Sequence, residues 1–282
     1  MHTYPECFPC FVSQALRVAQ MTETDPARVK MILDETSRLI PDMPLSRTPP
    51  HTASIMYRRI AGLTGAEDPF KEIKRQCTAS ALDLYPDLKK RVATSDDPLL
   101  TALHAAVAGN IIDFGVESQF DLDKDLDALL DQPFSVCDYE EFKQELAAAQ
   151  QILYIGDNAG ETVFDRLLIE EIGKPVTYVV REIPVINDAT WEDAEAAGLT
   201  EVAEVISSGS TAPGNILPLC NDEFLRRYQE ADLIISKGQG NYEGLSEERK
   251  NIFFLLKVKC RVIARHIGLP EGSIILKKQS MG

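Results

Sequence analysis

The sequence has few cysteines and no long hydrophobic run, and each shortage excludes a class of protein. Its 282 residues include 6 cysteines, far below the density of a small secreted domain that disulfides hold together. No apolar stretch approaches the roughly 18 residues that a membrane-spanning helix needs. The opening MHTYPECFPC also lacks the layout of a secretory signal. We therefore expect a cytoplasmic protein with no membrane partner.

Positive charge is also in short supply. The chain carries 29 Lys+Arg against 44 Asp+Glu, which gives a formal net charge of -15. Such an average field repels polyanions, so we expect no nucleic acid partner. A small anion can still bind, because a few cations and a metal ion reverse the potential locally inside a cleft.

Several nucleotide-binding and catalytic motifs are absent as well. The segment GDNAGE does not match the G-x-G-x-x-G dinucleotide fingerprint, and neither G-x-x-x-x-G-K-[ST] nor G-x-S-x-G occurs. These absences disfavour a NAD site, an ATP-binding P-loop and a serine hydrolase. A zinc-histidine mechanism is disfavoured too, because the 4 histidines fall in the helical half or on the last predicted helix.

The hydrophobic pattern changes in the middle of the chain. From about residue 8 to residue 110, apolar residues recur at three- and four-residue spacing with breaks at prolines, which predicts an all-helical N-terminal region. After Gln150, short apolar runs alternate with helical patterns, in QILYIG, VTYVVR, EVAEVISS, DLIISK and SIILK. That alternation predicts a three-layer α/β domain with a mostly parallel sheet. We place the two domains at 1–105 and 106–282.

Four of the predicted strands run directly into polar segments, which begin at Gly156, Arg181, Ser207 and Lys237. The carboxyl ends of parallel strands open onto one edge of a sheet, and ligands bind in the crevice there. We therefore expect the four segments to converge.

The residues of these segments suit phosphate chemistry. Asp157, Asn158 and Asp188 offer hard oxygen ligands of the type that Mg²⁺ or Mn²⁺ prefers. Lys237 supplies a point charge for phosphate oxygens, and the glycine-containing loops let backbone N–H groups approach an anion. Phosphoryl transfer needs this combination, because its catalysis consists mostly of positioning and charge stabilisation.

Each segment also has an ordinary structural interpretation. Asp157 and Asn158 suit a capped strand-to-helix turn, Asp188 suits the N-cap of the helix in DATWEDAEAAG, and KGQGNYE suits a plain loop. For a single segment these interpretations are at least as good as a ligand role. Four ligand-bearing segments at one sheet edge would be a coincidence, so we favour a binding site.

The pair Cys7 and Cys10 forms a lone CxxC motif at the start of a predicted helix. A structural zinc site usually needs four ligands, and no second CxxC occurs, although His2 or Cys77 could contribute. We favour two packed thiols over a redox pair or a partial metal site. Nothing in the sequence places these cysteines at the strand-end crevice.

At these motifs the sequence resembles the damage-control metal phosphatase family, also called acidic-residue-methyltransferase-like. The matching stretches are GDNAGE with Phe164-Asp165, REIPVINDAT, KGQGNYE, LLKVKCRVIARHIG and the G-N-x-x-D element of Asn110 and Asp113. The CxxC motif is a feature of the prokaryotic branch. Leu256-Lys257-Val258-Lys259 stands where the eukaryotic sugar-phosphate branch has Arg-Thr-x-Lys, so that branch's substrate is not transferred.

The resemblance implies a Rossmann-like α/β domain and an enzyme that hydrolyses phosphomonoesters of small phosphorylated metabolites. It implies a divalent metal ion (Mg, Mn, Co or Ni) on the catalytic residues Asp157, Asn158 and Asp188. It implies substrate phosphate contacts from the residues Glu161, Lys237, Asn241 and Lys259. Two routes of hydrolysis are compatible with these residues. In one, a carboxylate such as Asp157 orients the attacking water, and in the other, Asp157 forms an aspartyl-phosphate. Glu161 suits an acid–base role and a structural role in its turn equally.

Two other functions compete with the phosphatase. A carboxyl methyltransferase that uses S-adenosylmethionine would fit a Rossmann-like sheet, although the two acidic groups of GDNAGE suit a cation better. A non-catalytic module would bind sugar phosphate or metal without turnover. Activity that needs metal but no methyl donor argues against the first alternative, and steady phosphate release argues against the second.

Overall fold

The computed structural model describes residues 1–115 and 130–279, with side chains described for 1–109 and 130–279. Its sheet has seven strands in these residues. They are β1 (Val136–Cys137), β2 (Ile152–Ile155), β3 (Val176–Val180), β4 (Glu204–Ser207), β5 (Leu233–Lys237), β6 (Ile252–Lys257) and β7 (Ile274–Lys278). The order across the sheet is β1-β7-β6-β5-β2-β3-β4. Every neighbouring pair is parallel except β6 and β7, which are antiparallel.

The helices fall into an N-terminal group and a group that alternates with the strands. The first group is α1 (Cys7–Thr22), α2 (Pro26–Ser37), α3 (Pro49–Thr64), α4 (Lys71–Thr94) and α5 (Pro98–Gly115). The second is α6 (Tyr139–Ala148), α7 (Thr162–Ile172), α8 (Trp191–Ala196), α9 (Asp222–Glu230), α10 (Gln239–Leu245) and α11 (Arg261–Ile267). Short 3-10 helices occur at Ile40–Asp42, Leu199–Glu201 and Leu217–Leu219. Within the ranges described, no helix combines the length and apolar character that a membrane span needs.

The sheet is covered on both faces, because successive side chains of its central strands point to opposite sides. Ile152 and Tyr154 of β2 pack into one core together with residues of α4, α5 and α7. Leu153 and Ile155 pack into a second core together with residues of α9, α10 and α11. Such strands are buried on both faces and appear in the sequence as continuous apolar runs. The prediction of a mostly parallel three-layer α/β domain is confirmed.

The helical N-terminal region contributes to two different cores. Helices α1, α2 and α3 surround a small core of their own, which includes Phe11, Ile32, Met56 and Ile60. Helices α4 and α5 instead join the core on one face of the sheet. The predicted boundary between residues 105 and 106 falls inside α5 (Pro98–Gly115), and the division into two domains stays a prediction.

Two strands escape the sequence analysis. β1 contains only the two residues Val136–Cys137, too few to give a pattern. β6 is an unbroken apolar run, IFFLLK, and a short apolar run does not distinguish a buried strand from a helix. The sequence analysis therefore did not place the polar residues that follow β6 at the edge of the sheet.

Candidate active site

The four polar segments predicted to converge do follow adjacent strands. They come after β5, β2, β3 and β4, which lie side by side in that order. The chain runs from β2 outward to β3 and β4, and from β5 in the other direction to β6, so the order reverses between β2 and β5. In open α/β sheets this switch point is where ligands bind.

A short backbone pairing brings the three predicted metal ligands together. Asn158 and Asp188 form an isolated antiparallel bridge outside the main strands. The Ala159 N–H donates to the Asn187 carbonyl at 2.9 Å, and the Ala189 N–H donates to the Asp157 carbonyl at 2.8 Å. The segment after β2 is thereby fixed against the segment after β3.

The side chains of the three predicted ligands are buried, with exposed fractions of 7% for Asp157, 5% for Asn158 and 3% for Asp188. Burial raises the pKa of Asp157 to about 8, with added effects from Glu161 and Asp188. Burial likewise raises the pKa of Asp188, against the opposing effect of Arg181. The two carboxyl groups therefore hold their protons unusually tightly in the protein alone.

Gly238 allows the chain after β5 to approach Asp157. It has φ +79, and a Cβ atom built there would lie 1.9 Å from Asp157 Oδ2. Only glycine suits both the left-handed backbone and this close approach. The turn between β5 and α10 therefore lies directly against the first predicted ligand.

Arg181 is a site residue to which the sequence analysis assigned no role. Its side chain is 1% exposed, and its Nε donates to Asp188 Oδ2 at 2.7 Å. Its Nη2 donates to Asn241 Oδ1 at 3.2 Å and lies 4.0 Å from Asp157 Oδ1. Its position directly after β3, inside REIPVINDA, was the signal that the sequence offered.

Lys237 lies between two carboxylates instead of facing the open crevice. Its Nζ donates to Glu161 Oε2 at 2.9 Å and to Asp165 Oδ1 at 2.6 Å, and the side chain is 1% exposed. Burial opposes its charge, but Asp165 and Glu161 raise the pKa of Lys237 well above its ordinary value. Asp165 also accepts hydrogen bonds from the Tyr154 and Tyr178 hydroxyls, at 2.7 and 2.8 Å.

Glu161 and Asn241 are also engaged with the protein. Glu161 Oε1 accepts a hydrogen bond from Asn158 Nδ2 at 2.7 Å, so the buried Lys237–Glu161 pair orients a predicted metal ligand. Asn241 Nδ2 donates to the Gly156 and Lys237 carbonyls at 2.9 and 2.8 Å. Asn241 Oδ1 accepts from the Asn215 N–H at 2.9 Å and from Arg181. Asn241 therefore ties the ends of β2 and β5 to Arg181.

The ordinary interpretations of these segments fail on the capping geometry. Helix α8 is capped by Thr190, whose capping box with Asp193 leaves Asp188 outside the helix start. Helix α7 follows Glu161, which makes no side-chain capping bond, and α10 follows Gly238. The acidic residues after β2 and β3 thus serve neither helix as caps.

Comparisons with known proteins identify the family of this chain. Residues 3–275 match the family model described as the damage-control phosphatase ARMT1-like domain. The chain belongs to this family. A protein named damage-control phosphatase from Pyrococcus horikoshii is 37% identical over 278 residues, covering 96% of this chain and 96% of that protein. One of the same name from Archaeoglobus fulgidus is 34% identical over 287 residues, covering 98% and 99%.

A solved structure supports the assignment at the level of the fold. The crystal structure of a DUF89 family protein from Pyrococcus horikoshii superposes with a TM-score of 0.93 at 33% sequence identity. The match covers 99% of this chain and 100% of that chain. The resemblance inferred from the motifs, and the fold that it implies, are therefore confirmed.

Lys259 is the one predicted substrate contact whose side chain is exposed, and it follows β6. Its N–H donates to Gln239 Oε1 at 3.1 Å. Its positive charge opposes the raised pKa values of Asp157 and Asp188, so it lies within electrostatic reach of both carboxyl groups. The family element Asn110 and Asp113 lies in α5, with side chains outside the described residues.

The structure places the CxxC motif near the residues that follow β6. Burial raises the pKa of Cys7 to about 11, with smaller effects from Glu243 and from Cys260, which directly follows Lys259. Gln239 Nε2 lies 3.6 Å from Cys260 Sγ. Cys7 and Cys260 also pack against the same core, so the start of α1 lies near the segment that follows β6. The raised thiol pKa fits two packed thiols better than a reactive redox pair.

Ile186 holds the segment of Asp188 against the N-terminal helices. Its φ of 49 makes it the only non-glycine residue with a positive φ in the part of the chain that the structure describes. Its side chain packs on the core of α1, α2 and α3. A β-branched residue in this conformation is strained, and such strain persists only where the surrounding structure imposes it.

Proposed function

We propose that this crevice hydrolyses phosphomonoesters of small metabolites with one divalent cation held by Asp157, Asn158 and Asp188. The observation that carries the proposal is the antiparallel bridge between the segments after β2 and β3, which fixes two buried carboxyl groups beside each other. The family assignment supports the reaction class. The damage-control phosphatases are generally metal-dependent, in agreement with the acidic site.

The residues fit a hard divalent ion. Two buried carboxylates repel each other, and a cation between them favours the ionised forms that the raised pKa values of Asp157 and Asp188 otherwise oppose. One Asp188 oxygen is bonded to Arg181, which leaves the other for a cation. Carboxylate and amide oxygens suit Mg²⁺, Mn²⁺, Co²⁺ or Ni²⁺ better than a soft metal.

The ligand set uses only two carboxylates and one amide. In residues 1–109 and 130–279, no group of three or more His, Cys, Asp or Glu side chains is placed to hold a metal ion. A site of this kind leaves coordination positions for water and for substrate oxygens, as is usual for Mg²⁺. When bound, the ion would supply positive charge to the phosphoryl oxygens and lower the pKa of water.

We assign the predicted substrate contacts to different tasks. Lys259 is exposed at the rim, so we assign it to the incoming phosphate. Glu161 accepts hydrogen bonds from both Lys237 and Asn158, so we assign Glu161 and Lys237 to positioning of the ligand set. Asn241 is bonded to the backbone after β2 and to Arg181, and we assign it to holding the crevice in shape.

The phosphatase is better supported than the two alternatives. A methyltransferase would need a loop after β2 that accommodates a neutral adenosyl group, whereas that loop presents buried acidic side chains. A non-catalytic binding module would have the same site and would differ from a phosphatase only in lacking turnover. The family model names a phosphatase, which favours catalysis.

A screen of metals against phosphomonoesters tests the proposal. Purified protein would be freed of metal, supplied with Mg²⁺, Mn²⁺, Co²⁺ or Ni²⁺, and assayed for phosphate release. We expect metal-dependent release from small phosphomonoesters and a loss of at least about a hundredfold in Asp188→Asn, since a metal ligand is removed. Asp222→Asn, at an exposed position on α9, serves as the control and should match the wild type. No release from any substrate with any metal would refute the proposal.

A further inference from the structure

Arg181 has one buried group that the protein leaves without a hydrogen-bond partner. One side of the guanidinium is used, since Nε bonds Asp188 and Nη2 bonds Asn241. Its Nη1 is buried and has no acceptor in the described residues. Lys237 differs, because its Nζ already bonds Glu161 and Asp165.

An unpaired N–H on a buried cation is unfavourable. Leaving a buried donor without an acceptor costs roughly 1–3 kcal/mol, and more when the group is charged. Such a donor usually finds its acceptor in an ordered water, an ion or a ligand. The natural acceptor for a guanidinium is an oxyanion, since its planar donors match carboxylate and phosphate oxygens.

The charges around Arg181 indicate an anionic ligand. Glu161 and Asp165 are balanced in part by Lys237, to which both are bonded. Asp157 and Asp188 face Arg181. When both are ionised, these three groups sum to one negative charge, and the proposed divalent cation changes that sum to one positive charge. Lys259 adds one positive charge and the Glu161–Asp165–Lys237 group adds one negative charge, so the site with its cation is net positive and favours an anion such as phosphate over a neutral ligand.

We propose that Arg181 binds the phosphoryl group of the substrate through Nη1, while Nε holds Asp188 in place. This inference rests on the proposed function, since it specifies how that site recognises phosphate. It moves the main phosphate-binding role from Lys237, whose Nζ is bonded to two carboxylates, to Arg181. Since Nη1 is buried, the crevice must open when the anion enters and close around it.

Calorimetry with inorganic phosphate on Mn²⁺-loaded protein provides the test. Arg181→Lys keeps the charge but removes the planar donors. We expect phosphate to bind at least about tenfold more weakly and KM to rise by a similar factor, while Mn²⁺ affinity falls by a clearly smaller factor because a lysine can still donate to Asp188. Arg227→Lys is the matched control. Among the residues that the structure describes, Arg227 Nε also has no acceptor, but this side chain contacts Thr177 and Glu204 at the amino-terminal ends of β3 and β4, whereas the site lies at their carboxyl ends.

Two outcomes would overturn the inference. One is unchanged phosphate affinity in Arg181→Lys. The other is a loss of Mn²⁺ affinity as large as the loss of phosphate affinity, which would mean that Arg181 serves Asp188 alone. A wild type that binds phosphate but hydrolyses no ester would instead refute the proposed function.

A wild-type crystal structure with Mn²⁺ and inorganic phosphate keeps the inference testable if Arg181→Lys does not fold. We expect a phosphate oxygen within about 3.2 Å of Arg181 Nη1, the ordinary hydrogen-bond distance. Phosphate bound by Lys259 or Lys237 without Arg181 would contradict the inference.

Discussion

Metal binding at the proposed site should depend steeply on pH because of Asp157. Its pKa is about 8 in the metal-free protein, raised first by burial and then by Glu161 and Asp188. A cation binds the ionised carboxylate, so at lower pH it must displace a proton. Raising the pH from 6 to 8 should therefore strengthen the binding of Mn²⁺.

The size of the effect follows from the pKa. A group with a pKa of about 8 is half ionised at pH 8 and about 1% ionised at pH 6, so the apparent affinity should change roughly fiftyfold between them. At pH 7 about 0.9 proton should be released for each ion bound. Asp157→Asn should bind Mn²⁺ more weakly and lose the part of this pH dependence that Asp157 contributes, while Asp188, whose pKa is also raised, keeps its own part.

Calorimetric titration of Mn²⁺ at pH 6, 7 and 8, in buffers with different ionisation enthalpies, measures both affinity and released protons. An affinity that does not change with pH, with no proton release in the wild type, would refute the assignment of Asp157 as a buried ligand.

The raised pKa of Asp157 also predicts how the stability of the metal-free protein depends on pH. The folded pKa of Asp157, about 8, lies above the ordinary value of 3.8, so the folded state binds the proton more tightly than the unfolded state. This contribution to stability is fully present below about pH 3.8 and is lost as the pH rises through about 8. Thermal melts of metal-free protein should therefore show a smaller loss of stability with rising pH in Asp157→Asn than in the wild type.

Three further substitutions test other parts of the site. Lys237→Met leaves Glu161 and Asp165 buried without their cation, so urea unfolding should show a loss of about 3–5 kcal/mol in the free energy of unfolding. The control is Lys30→Met, in an exposed ion pair, which should change stability little. Equal effects of the two substitutions would contradict the role of Lys237 as a buried partner of the two carboxylates. Double replacement of Cys7 and Cys10 by Ser should leave turnover largely intact, and loss of activity with fold and metal retained would place these thiols in the active centre. Ile186→Ala should weaken Mn²⁺ binding about tenfold, because Asp188 loses its support.

Ile60→Ala is the control for Ile186→Ala, because Ile60 lies in the same core and is 1% exposed. It should lower stability by about 2–5 kcal/mol and leave Mn²⁺ affinity nearly unchanged. Equal loss of metal affinity in both variants would mean that Ile186 acts through general stability and not through the position of Asp188.

The sequence was sufficient to find the crevice, because strand ends in a parallel sheet share one edge. Asp157, Asn158 and Asp188 follow directly from that rule, and the structure brings them together. The partners of Lys237 were out of reach, since Glu161 and Asp165 lie 76 and 72 positions away along the chain. A residue pattern identifies the lysine but does not show whether a carboxylate or a substrate faces it.

Other features depend on packing that no local pattern encodes. The role of Arg181 becomes visible only when Asp188 and Asn241 are placed around it. The proximity of the CxxC motif to the residues that follow β6 also depends on how α1 packs, which the motif itself does not reveal. Likewise, the strained backbone of Ile186 is imposed by the core of α1, α2 and α3, which no local sequence signal predicts.

Anomalous X-ray diffraction from crystals soaked in Mn²⁺ is the most direct test of the metal centre. The account predicts one strong peak within about 2.0–2.6 Å of oxygens from Asp157, Asn158 and Asp188. It also predicts that the peak disappears in crystals of Asp188→Asn. A strong peak elsewhere, or carboxylates of Asp157 and Asp188 more than about 5 Å apart at their nearest oxygens in the Mn²⁺-soaked protein, would contradict the central claim.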